Sequence, residues 1–172
     1  MRKELFQPSI ESEARILLLI YGFTTQTKSL EGRTKLAKLD FLLRYPRFMQ
    51  RALAIRKPEH NMEISPEEKI NIEGRMIRYR YGPWDPSYYA ILGRLIGKGL
   101  VEVVPNNKGL SYRTTQHGSG LAKSLAKEDA WAETYARIKL LKSNFDLTGN
   151  ALKEFIYKHF PEVVGASWEQ KL

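Results

Sequence analysis

Three histidines, His60, His117 and His159, are the first residues to test for chemistry, and their spacing argues against a shared site. None belongs to a pair at the one-turn interval that lets two imidazoles hold one metal ion. His159 lies beside Phe155, Ile156 and Phe160 and reads as a helix-edge or core residue. His117 follows a turn-rich stretch and reads as a helix-start hydrogen bonder. Cysteine is absent, which excludes disulfides and thiolate zinc sites. Gly32-Arg33-Thr34-Lys35 has the residue types of a phosphate loop without its spacing. The paired acids Glu67/Glu68 and Glu128/Asp129 read as helix-start charges rather than as two-metal ligands. No nucleophile, base and orienting group come together in this inventory. The expectation is a protein that is not an enzyme and needs no metal or cofactor.

What remains is binding chemistry. The chain has 28 Lys/Arg against 19 Asp/Glu, a net charge of +9. Residues 1–60 carry 12 of those cations against 6 acids, so the surplus is concentrated early. A basic surplus favours an acidic partner, either nucleic acid or an acidic protein surface. The candidates for phosphate or acidic-partner contact are Arg33, Lys35, Lys38, Arg44, Arg47 and Arg51, with Arg78, Arg80 and Arg94 further on. Aromatics concentrate between Tyr79 and Tyr89, just after Arg75, Arg78 and Arg80. Tyr, Trp and Arg are enriched as anchors of protein interfaces. Tyr81, Trp84 and Tyr88 are therefore the interface candidates, although at least half of the rings in this stretch should fill the core.

These residues need elements to position them. A hydrophobic share of 42% and an aromatic share of 11% suffice for a packed core. The first helix should run over residues 12–21, capped by Ser12 and ended by Gly22, with Ile16, Leu17, Leu19 and Ile20 inside. A second begins near Arg33, burying Leu36, Leu39 and Leu43 and leaving Lys35 and Lys38 along an open flank. Asp40 and Arg44 would form a surface pair on it. Pro46 ends that helix or opens the next, which covers residues 47–55. Ser65-Pro66-Glu67-Glu68 is a further helix start. From Arg75 the period changes to two, as in a half-buried strand. Tyr81-Gly82-Pro83-Trp84 reads as a turn, and Asp85-Pro86 as the start of a helix over residues 86–98 that buries Ile91, Leu92, Leu95 and Ile96. A strand over 100–104, a hairpin loop over 105–109 and a return strand over 110–114 follow. Helical stretches near 115–125, 129–141 and 148–160 finish the chain. No apolar run approaches the roughly 18 residues of a membrane span, and residues 1–6 lack a signal-peptide core; a cytoplasmic address is expected.

The fold class expected is mainly α with a small β-sheet: a winged-helix-like core over 10–125 and a C-terminal helical extension over 126–172, forming one compact unit. In such a fold the helix before the hairpin would read DNA. Its outward positions, Ser87, Ala90, Arg94 and Lys98, offer no Asn or Gln for adenine and one well-placed Arg for guanine. Specific readout is therefore poorly supplied, and the remaining cations suit sequence-blind phosphate contact or an acidic protein equally.

Two segments, EGRTKLAKLDFLLRYPRFMQRAL at 31–53 and RYGPWDPSYYAILGRLIGKGLVEV at 80–103, resemble the small middle components of bacterial ABC-three-component systems of the Lamassu anti-phage group. The closing ALKEFIYKHFPEV at 151–163 is compatible with the same family. The resemblance implies a non-catalytic accessory subunit beside an ATPase of the structural-maintenance-of-chromosomes (SMC) kind and an effector, commonly a nuclease. It would dock on the coiled-coil ATPase and aid engagement of double-stranded DNA, and it carries over no catalytic residue. Two other readings stay open: a winged-helix transcriptional regulator or antitoxin-like protein, and an enzyme of unrecognised type.

Overall fold

The computed structural model describes residues 8–59, 77–79 and 82–164. His60, the Ser65–Glu68 helix start, Arg80 and Tyr81 lie outside these residues, as does the side chain of Arg78. The chain is mainly helical with a small antiparallel sheet, as composition and period suggested. In order, the elements are α1 (Ile10–Phe23), β1 (Leu30–Glu31), α2 (Gly32–Arg44), α3 (Pro46–Arg56), β2 (Ile77–Tyr79), β3 (Gly82–Trp84), α4 (Tyr88–Gly97), β4 (Val101–Asn106) and β5 (Gly109–Thr114). They continue as α5 (Gln116–Ala126), α6 (Asp129–Phe145), α7 (Gly149–His159) and α8 (Pro161–Val164).

Local chemistry accounts for several boundaries. Ser9 caps α1 and exchanges hydrogen bonds with Ser12 in a capping box, so the cap lies three residues before the Ser12 expected. Gly22 does not end α1 but lies within it, because a Cβ there would collide with the Ile138 side chain of α6. Pro46 opens α3 at its first position, where a missing N–H costs nothing. Thr115 and Thr148 cap α5 and α7 through their side-chain oxygens.

Leu30 pairs with Tyr112 and Glu31 with Ser111, so the three-stranded sheet has the order β1-β5-β4. The β4–β5 hairpin closes more tightly than the expected loop: Asn106 pairs with Gly109 across Asn107 and Lys108. Gly109 takes φ 135°, which its lack of a Cβ permits. Residues 82–84 are not a turn but strand β3, paired with β2 in register Ile77–Trp84.

One continuous hydrophobic core runs from Ile16 in α1 to Val163 in α8. Residues Ile16 to Ile20 are all buried, because α1 packs against α2, α4, α5, α6 and β5. Every residue from Lys35 to Arg44 is buried as well, since α2 is enclosed by α1, α3, α6, α7, β3 and β5. The C-terminal helices are thus part of the same core.

Candidate functional site

Enclosing α2 buries charges that need partners. Asp40, with 0% exposure, accepts from Arg15 Nε at 2.8 Å and from the Tyr88 hydroxyl at 2.6 Å. Arg44 NH1 lies 3.8 Å from the same carboxylate and donates to Asp85 at 2.7 Å. Asp85 in turn accepts from the backbone N–H and hydroxyl of Ser87, at 2.8 and 2.6 Å. Burial alone would raise the Asp40 carboxyl, but Arg15 and Arg44 together hold it below its ordinary value. Burial, then Asp40, pushes the Tyr88 phenol well above its ordinary value. The four charges balance, and the network ties α1, α2 and the entry to α4 together.

This overturns part of the expected contact surface. Arg44 and Tyr88 are network members, not surface groups. Lys35 is buried and paired with Asp146 at 2.6 Å in the α6–α7 link. Lys38 is 2% exposed and donates to the Pro83 carbonyl at 3.3 Å. Burial, reinforced by the charge of Lys153, lowers its ammonium to about 8. An apolar stripe on one side of α2 suggested an open flank on the other, but α7 and β3 cover it.

Arg33, Arg47, Arg51 and Arg94 are exposed. Arg51 stacks over Phe48 and Phe160 and pairs with Glu162, tying α3 to α8. Arg94 on α4 and Lys98 just past its end face the largely buried carboxylate of Glu13 on α1 at 3.7 and 2.7 Å. Two like charges four residues apart repel without such an acid. That spacing was the available signal for Glu13, which the sequence reading did not use.

The outward side of α4 otherwise presents Tyr89, Ala90, Gly93, Ile96 and Gly97. Tyr89 is 59% exposed, with the Arg33 guanidinium 4.7 Å from its ring centroid and half-buried Trp84 5.8 Å away. The β4–β5 hairpin also exposes Val103 and Leu110. Helix α4 and the hairpin therefore offer a surface that is small, apolar and aromatic, with cations at its margins. Tyr89 lies within the aromatic cluster noted in the sequence, but neither it nor the hairpin pair was singled out there. His117 is exposed in an open groove with Gly99, Thr115, Gln116 and Ser124.

Among the described residues, no three His, Asp or Glu side chains come together as a metal site. No described helix is long and apolar enough to cross a membrane. A scan against protein-family models and searches of curated proteins and of solved structures return no match.

Proposed function

We propose that this protein is a non-catalytic accessory subunit of winged-helix type that docks on a protein partner through α4 and the β4–β5 hairpin. The observation that carries the reading is the character of the outward side of α4. A helix that reads duplex DNA needs free donors aimed at base edges. Here that side is Tyr, Ala, Gly and Ile, and its two cations lie at the margin facing Glu13. Apolar and aromatic surface with an adjoining Arg suits a protein interface. Support for the winged-helix type comes from the element order helix, strand, helix, later helix and hairpin, with the first strand added beside the returning one.

The resemblance of residues 31–53 and 80–103 supplies the candidate partner, an SMC-like coiled-coil ATPase acting with an effector nuclease in cytoplasmic anti-phage defence. Double-stranded DNA contact in this reading is sequence-blind and salt-sensitive, made by exposed cations such as Arg47, Lys57 and Lys158. Co-expression with the products of adjacent genes, followed by size-exclusion chromatography, tests it. The expected result is co-elution with a large coiled-coil ATPase, lost on Ala90→Glu. Elution of the wild-type protein alone would end this reading. A homodimer that footprints a palindrome would instead establish a transcriptional regulator.

A further inference from the structure

Arg33 differs from the ion-paired cations around the hairpin. Arg94 and Lys98 face Glu13, and Arg113 lies 3.5 Å from Glu102. Arg33 has no carboxylate partner among the described residues; its contact is the ring of Tyr89. Stacking holds the guanidinium plane in place and leaves its edge N–H groups free for a planar, bidentate acceptor.

Its surroundings are set by the sheet register. Val103 lies opposite Tyr112, Tyr112 opposite Leu30, and Pro105 opposite Leu110, so Val103, Leu110 and Tyr112 share one face. The start of α2 lies against that hairpin, with the Gly32 Cβ position 3.9 Å from the Leu110 carbonyl. Tyr112 is a buried floor: burial raises its phenol above the ordinary value, with the nearby Arg33 opposing the rise and Tyr89 adding to it. Glu31 pairs with Ser111 and so belongs to the opposite face, where it does not neutralise the site. Leu110 is 50% and Val103 36% exposed, apolar area beside an available cation.

We propose that the surface between Arg33, Tyr89 and the hairpin residues Val103 and Leu110 binds an acidic segment of a partner protein, its carboxylate on Arg33 and a neighbouring aliphatic side chain on the hairpin. This rests on the protein-docking reading above and gives the partner its chemistry. A protein segment is favoured over a phosphate backbone because a backbone would leave Val103, Leu110 and Tyr89 without apolar contacts.

Selection of a random dodecapeptide display library on the purified wild-type protein, with affinities of enriched peptides measured by fluorescence anisotropy, provides the test. Enriched peptides should carry Asp or Glu next to Leu, Ile or Phe. Arg33→Glu and Leu110→Asp should each weaken them by about tenfold or more, the scale of an interface hot spot. Lys139→Glu, at an exposed position of α6, should leave affinity unchanged. Failure to enrich peptides, enrichment without acids, indifference to Arg33→Glu, or displacement by a short DNA duplex would each overturn the proposal. Co-elution with the ATPase separates this from the broader reading. An ATPase retained equally by wild type and Arg33→Glu preserves the docking role and removes this acid site. Peptides bound through Arg33 with no ATPase co-eluting preserve the site and remove the partner assignment.

Discussion

Asp40 is the only described carboxylate at 0% exposure, and its surroundings determine what its removal costs. Two guanidiniums and a phenol point at it, so Asp40→Asn leaves Arg15 and Arg44 facing an amide that cannot balance them. Removing one partner of a buried ionic network costs about 3–5 kcal/mol, and urea unfolding of Asp40→Asn should show a loss of that size. Tyr88→Phe removes one hydrogen bond to a charged group and should lose about 1.5–3 kcal/mol. A loss for Asp40→Asn no larger than for Tyr88→Phe would show that Asp40 is not the hub. Lys38 behaves in the opposite sense. Its ammonium is lowered to about 8 in the fold against 10.5 ordinarily, so the unfolded chain holds the proton more tightly. Stability from this group is lowest below the folded value and rises with pH between the two. Lys38→Met should therefore stabilise the protein by up to about 3 kcal/mol near neutral pH, with the gain shrinking towards about pH 10. A gain that does not change with pH would rule out burial of the charge as its cause. The available signal for the network was a lone Asp within KLDFLLR, which a buried helix tolerates only with partners; nothing local indicated that Arg15 and Tyr88 would supply them.

At the scale of elements, the positions that could not be read from pattern are those where two backbones meet. A Cβ at Gly118 would run into the Leu100 carbonyl, so α5 approaches the α4–β4 link as closely as glycine allows. Gly118→Ala forces that helix away and should cost about 1–3 kcal/mol, perturbing the amide resonances of Leu100 and Val101 in heteronuclear NMR spectra. Unchanged resonances and stability would refute the close packing. The caps belong to the other class: Thr115 and Thr148 precede helical periods and act through their own side chains. Thr148→Ala should lower stability by about 1 kcal/mol in thermal melts. Strand β1 has two residues and exists because β5 pairs with it, so no periodicity announces it. The β2–β3 hairpin was half visible: the alternation from Arg75 indicated a strand, while Gly82 and Pro83 suggested a turn where the return strand lies.

For the whole molecule, the extension over 126–172 was expected to form one compact unit with the core over 10–125, and the shared core gives that expectation a test. Ile138, Leu141, Phe145, Leu152, Ile156 and Phe160 are all fully buried against α1, α2 and α3. A fragment ending at Ala126 would expose the apolar partners of these residues, and it should lose the cooperative unfolding transition of the full chain, as followed by circular dichroism. A cooperative fragment would make the extension a separate domain. Helix positions, the β4–β5 hairpin and the fold class followed from the sequence alone, because periodicity and turn chemistry act over a few residues. Which cations face solvent did not. Lys35, Lys38 and Arg44 share a helix with exposed Arg33, and only packing by α6, α7, β3 and the α4 entry separates them. Exposure is decided by what covers a surface, and on α2 the covering elements come from residues about forty to more than a hundred positions away, beyond the reach of any local pattern.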